Sequence, residues 1–150
     1  MITKAYRRMW LTVVLGGWVW LGMATPSAQA QISVIVSKAT TVKVTKSEVK
    51  EIYTGTKLKW TNGNKIQVVD QPETATGKNF YALVIGKSFN QTRTQWAKLL
   101  LSGQANAPLR YPSDKTVKKA VAGNPNAIGY VATGALDDTV QEILRIEAKN

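Results

Sequence analysis

The run Thr74-Ala-Thr-Gly-Lys78 gathers the residues best placed for chemistry in this chain. Two hydroxyls stand two positions apart, a glycine follows, and a lysine closes the run. It lies between the β-branched stretch Ile66-Gln-Val-Val-Asp70 and the set Phe80, Tyr81, Val84 and Ile85, which shares one helical face. A strand therefore feeds a helix through this turn. A helix N-terminus presents free N–H groups and the positive end of the helix dipole, a setting for an anion. Thr74 and Thr76 add hydroxyl donors, Gly77 lets backbone approach closely, and Lys78 adds charge. The plainer reading of the same residues is an N-cap at Thr74 or Thr76, loop geometry at Gly77 and a solvated Lys78. Asp70 and Glu73 flank the turn and can hold a cationic group or act as caps and solvated acids.

Other candidates carry less. Trp96 sits in an apolar helical stripe and reads as core. Trp60 follows Lys57-Leu-Lys59 and could stack on a ligand, but reads as structural too, with half of it exposed. Asp137-Asp138 is a carboxylate pair, but two adjacent acids without further ligands do not make a calcium loop. Gly129, inside a strand pattern, suggests close packing against its backbone.

The chain contains neither His nor Cys. That removes nearly every zinc, iron or copper site, and the Ser-His-Asp and Cys-His nucleophiles with them. No catalytic residue, metal ligand or cofactor site is expected, and the chain reads as a non-enzyme. The formal net charge of the 150 residues is +11. Its lysines are spread every few positions, with only Lys118-Lys119 adjacent. They describe a solvated basic surface rather than a nucleic-acid tract.

Residues 1–30 have the form of a secretory signal. A basic start (Lys4, Arg7, Arg8) precedes the apolar run Met9–Met23, and Ala28-Gln-Ala30 is a small-x-small site. Cleavage is expected after Ala30, leaving one domain over 31–150. The run is short for a spanning helix, so no stable membrane insertion is expected afterwards. Removing Lys4, Arg7 and Arg8 lowers the net charge from +11 to +8. A periplasmic or secreted location follows, which also argues against a nucleic-acid partner.

The elements that must position the turn are readable in outline. Gln31–Val36 is a strand. Thr45 and Glu48 form a capping box, with Val44 and Val49 as its staple, so a helix starts after Thr45 and ends near Gly55. Asn62-Gly63 is a turn. The helix after Thr74 is stopped by Gly86. Ser88 and Gln91 form a second capping box, opening a helix that carries Trp96, Leu99 and Leu100 and ends at Gly103. Gln104–Pro112 reads as loop. Ser113 or Asp114 caps a short helix with Val117, Ala120 and Val121. Ala127–Val131 is a further strand; Val140–Ile146 fits a helical face through Val140, Ile143, Leu144 and Ile146 but also the length of a strand, and is read as a strand. Strands alternating with helices predict an α/β domain: three layers, with a mostly parallel sheet and crossover helices.

Four stretches then resemble one family, in order. Glu51-Ile-Tyr-Thr-Gly-Thr-Lys57 with Trp60-Thr-Asn-Gly63 is similar to its "IF-x-G-K … W-x-(D/N)-G" segment. Val68-Val-Asp-Gln-Pro-Glu73 resembles the strand and loop that follow. Trp96-Ala-Lys-Leu-Leu-Leu-Ser-Gly103 resembles its "W-x-x-x-x-F-(S/T)-G" helix end. Asn124-Pro-Asn-Ala-Ile-Gly-Tyr-Val131 is similar to its "x-P-G-A-I-G-Y-V" strand. The family is the substrate-binding proteins of phosphate ABC transporters, of the type II periplasmic kind. The resemblance spans most of 32–146 and corresponds to one lobe, the second, of a two-lobed receptor.

The resemblance implies a solute-binding module that takes a small oxyanion, phosphate first, at the turn built from Thr74, Thr76, Gly77 and Lys78. The family's Arg-x-Asp-Gly-Ser-Gly-Thr motif falls on Asp70–Thr76. Asp70 stands at the Arg position, Pro72 at the Asp, Thr74 at the Ser, Ala75 at the second Gly and Thr76 at the Thr. An ABC permease, a sensor or a second copy of the chain are the implied partners. The alternative is an envelope interaction protein that binds no small ligand and docks a partner through the receptor-like lobe face.

Overall fold

The strand β1, Gln31–Ser37, has six consecutive buried residues, Ile32 to Ser37. A strand buried on both faces must lie inside a sheet. In the computed structural model, which describes residues 31–148, it does. The other strands are β2 (Gln67–Asp70), β3 (Leu109–Arg110), β4 (Ala127–Ala132) and β5 (Val140–Glu147). Their order is β3-β2-β4-β1-β5. β2 pairs parallel with both β3 and β4, whereas β1 is antiparallel to both β4 and β5. Four strands thus run one way and β1 runs against them. The mostly parallel sheet expected from the sequence is present, with its first strand reversed.

Helices cover both faces. α1 (Lys46–Tyr53) opens on the expected capping box: the Glu48 N–H donates to Thr45 Oγ1 at 3.2 Å, and the Thr45 N–H donates to Glu48 Oε2 at 2.9 Å. α2 (Ala75–Phe80) runs into a π turn, Tyr81–Ile85, that ends at Gly86 (φ 67°). α3 (Phe89–Leu101) has the second capping box, Ser88 with Gln91. α4 (Asp114–Ala122) is capped by Ser113. One core layer joins Val34, Val68, Ile128 and Tyr130 of the sheet to Tyr53, Phe80, Ile85 and Trp96. The other joins Ile35, Val69 and Val131 to Val117 and Val121 of α4. The three layers of the sequence reading are therefore present.

Gly129 shows how tightly the second layer closes. A Cβ there would sit 2.7 Å from Val121 Cγ2 and 3.0 Å from Val117 Cγ1. The strand admits α4 at this distance only because residue 129 has no side chain.

Some sequence expectations are corrected. Leu100 faces solvent (51% exposed) rather than joining the stripe of Trp96 and Leu99, because α3 packs through a narrow face. Trp60 is 5% exposed, not half exposed: its ring enters the core and its indole N–H donates to the Asn126 carbonyl at 3.1 Å. The loop 104–112 contains the two-residue strand β3. The secretory signal expected over residues 1–30 lies outside the described residues. Among the described residues no helix is long and apolar enough to cross a membrane.

Candidate functional site

β2 ends at Asp70, and its connection goes to α2 on one face of the sheet. β3 ends at Arg110, and its connection goes to α4 on the other face. Neighbouring parallel strands whose connections diverge leave a crevice at their carboxyl ends, where open α/β sheets take ligands. The Thr74–Lys78 turn stands at this point.

Thr74 is the N-cap of α2. Its hydroxyl accepts from the Gly77 N–H at 3.0 Å and donates to the Gln71 carbonyl at 2.9 Å. The hydroxyl is therefore committed to the turn itself. Gly77 is buried where the helix crosses the chain entering it. A Cβ would lie 2.0 Å from the Gln71 carbonyl oxygen and 2.8 Å from Pro72 Cα, both backbone atoms that cannot step aside. Thr76 is half-buried and Lys78 exposed. The amides of Ala75 and Thr76 are first-turn donors without an intrahelical acceptor, and neither they nor the Thr76 hydroxyl has a hydrogen-bond partner among the described residues. The structure thus separates the four residues. Thr74 and Gly77 build the turn, and Thr76 and Lys78 offer groups outward.

Asp70 behaves unlike a flanking cap. It is 2% exposed, neither solvated nor open to a cation. Oδ1 accepts from the Tyr130 hydroxyl at 2.5 Å and from the Gln71 N–H at 2.8 Å; Oδ2 accepts from the Tyr81 hydroxyl at 2.6 Å. Burial pushes the Asp70 carboxyl above the ordinary carboxylate range, against the pull of these donors and of the Arg110 charge. Burial, with the Asp70 charge beside them, raises both tyrosine hydroxyls. The Phe80 ring stacks on Tyr130, centroids 3.8 Å apart and planes 6° from parallel, sealing the network on its core side. The Gln71 side chain continues it, donating to Asp114 Oδ1 at 2.6 Å and to the Tyr130 carbonyl at 2.8 Å. Among the described residues no buried side-chain polar atom lacks a partner.

Sequence reasoning missed Gln71, Asp114 and the hydroxyls of Tyr81 and Tyr130. The signal available was an acid at the end of a buried strand, which needs donors from somewhere. The distant Asp137 pairs with Lys118 and accepts from Thr139, as expected of a solvated turn. Among the described residues no cluster of acids is placed to hold a metal ion.

Solved structures that the chain resembles include phosphate-transport receptors. An ABC-type phosphate transport receptor from Vibrio cholerae matches at 22% identity and TM-score 0.52, over 76% of this chain and 46% of that one. A protein described as a phosphate ABC transporter substrate-binding protein, with bound phosphate, from Clostridium perfringens matches at 25% identity and TM-score 0.59, over 76% and 45%. PstS from Borrelia burgdorferi matches at 17% identity and TM-score 0.53, over 71% and 42%. No family model and no curated protein matches the chain. The likenesses define the class: an α/β module with the fold of a periplasmic-binding-protein lobe, like those of phosphate-transport receptors. The chain spans under half the length of the structures it matches.

Proposed function

We propose that this protein is a periplasmic or secreted solute-binding module that captures a small oxyanion, phosphate first, at the Thr74–Lys78 turn. The carrying observation is the set of unpartnered donors at the divergence of β2 and β3: the Ala75 and Thr76 amides and the Thr76 hydroxyl. Lys78 adds a positive charge beside them. Thr74 and Gly77 serve by shaping the turn. Asp70, at the position of the family's Arg, lies behind the Tyr81 and Tyr130 hydroxyls and does not present a bare charge to the anion. The likeness to phosphate receptors supports the same ligand class.

One lobe leaves such a site open on one side, so affinity is expected to be weak until a second surface covers it. That surface belongs to an ABC permease, a sensor or a second copy of the chain. Nothing in this reading requires catalysis.

The test is isothermal titration calorimetry of residues 31–150 against phosphate at low ionic strength, with sulfate as control. Binding that is lost in Thr76→Val combined with Lys78→Ala supports the reading. The Thr74→Ala variant is unsuitable by itself, because it removes the cap of α2. No heat at millimolar phosphate sinks it.

A second reading is favoured by one observation. Leu100, Leu101 and Leu109 are exposed by 51%, 89% and 44%. A lobe that docks an envelope partner through these side chains, without a small ligand, accounts for their exposure.

A further inference from the structure

A groove of about 200 Å³ opens between α3 and the segment that leads into β3. Phe89, Trp96, Leu100 and Pro108 supply apolar wall, and Arg93 and Arg110 line it as well. None of the Thr74–Lys78 residues does. Its volume suits one aromatic ring, since an apolar cavity of roughly 150 Å³ takes benzene.

The charge in the groove is mainly positive, two guanidinium groups against the one buried carboxylate of Asp70. Among the described residues neither Arg93 nor Arg110 has a carboxylate at salt-bridge distance. Arg110 stands with its guanidinium 5.6 Å from the Phe89 ring centroid, held by the ring's negative face. Asp70 reaches the same groove, but both its oxygens already accept from Tyr81, Tyr130 and the Gln71 N–H. Apolar walls beside two unpaired guanidinium groups fit neither a bare inorganic anion nor a neutral hydrocarbon.

We infer that this groove binds a compact amphipathic carboxylate: one aromatic or branched apolar group bearing a single carboxylate a bond or two away. The ring displaces water from Phe89, Trp96 and Leu100. The carboxylate takes charge-assisted hydrogen bonds from Arg93 and Arg110. The groove opens beside the same crevice but shares no lining residue with the proposed oxyanion turn, so the two are tested independently.

The experiment uses ¹⁵N-labelled protein, produced from the full-length gene and purified after whatever processing the host performs. Phenylacetate is titrated in and amide shifts are followed, with benzyl alcohol, phenethylamine and inorganic phosphate as controls. Phenylacetate is expected to bind with a Kd on the order of 1 mM, moving resonances within 89–110. Arg93→Gln and Arg110→Gln are each expected to weaken it about tenfold while leaving remote resonances in place. Benzyl alcohol or phenethylamine binding as well as phenylacetate overturns the carboxylate assignment. So does no response at roughly ten times the expected Kd, or unchanged affinity in Arg93→Gln should Arg110→Gln fail to fold. Phosphate shifts, if they appear, fall at 74–78, so the two sites fail or succeed separately.

Discussion

The Tyr130 hydroxyl donates to Asp70 Oδ1 at 2.5 Å, tying the end of β2 to the interior of its neighbour β4 through side chains 60 positions apart. Tyr81 holds the other oxygen. The Asp70 carboxylate is thus a structural acceptor. Substituting Asp70→Arg supplies no anion grip. It forces a cation among buried hydroxyls and is expected to unfold the domain or cost more than ~3 kcal/mol. Asp70→Asn keeps the shape but replaces one acceptor oxygen with a donor. It is expected to cost about 1–3 kcal/mol in urea denaturation.

The same group sets a pH dependence. Burial raises the Asp70 carboxyl in the folded state, so in acid the folded protein holds this proton where the unfolded chain has released it. Stability from Asp70 is then fully present below the unfolded carboxylate pKa and is lost as pH rises through the folded one. Glu142 works the other way. Its hydrogen bond from Arg145 lowers its pKa, so its contribution fades as pH falls. The stability difference between wild type and Asp70→Asn is therefore expected to shrink as pH rises upward from the ordinary carboxylate range. Denaturation midpoints at several pH values check this, and a difference that grows with pH contradicts it.

Gly77→Ala places a Cβ against backbone, with the Gln71 oxygen 2.0 Å away. A shift of the whole turn must follow, at a cost of about 1–3 kcal/mol or more. Thermal unfolding measures the loss, and any anion affinity at the turn is expected to fall with it.

Gly129→Ala meets a side chain instead, the Val121 methyl at 2.7 Å. It is expected to destabilise by about 1–3 kcal/mol. Val121→Ala in the same molecule removes that clash, so the double variant is expected to lose less than the sum of the two. Strict additivity in a double-mutant cycle contradicts the contact.

Thr45→Ala removes the acceptor for the Glu48 N–H in α1 and is expected to cost about 1 kcal/mol. Circular dichroism during urea unfolding reads it directly.

Signals that are local in the chain were legible in the sequence. The pairs Thr45/Glu48 and Ser88/Gln91 announce their helices because a cap is a contact across three residues. The β-branched runs announce β1, β2 and β4 because burial on both faces leaves no polar alternation. What stayed hidden depends on partners far away. β3 has two exposed residues and is a strand only because β2 lies beside it. The reversed direction of β1 is decided by its pairing with β4 and β5. The role of Asp70 needs Tyr130, and the split of the candidate turn into Thr74 and Gly77 inside, Thr76 and Lys78 outside, needs the path of Gln71 and Pro72.

The placement of β1 between β4 and β5 bears on when this domain can assemble. Gln31–Ser37 has no neighbour in the sheet until Ala127–Ala132 exists, and its other edge stays open until Val140–Glu147 arrives. An emerging chain cannot lock this inner strand early. Such long-range closure favours slow folding. Both pairings of β1 therefore form only once the segment reaching Glu147 is available, and the sheet is completed at its β5 edge.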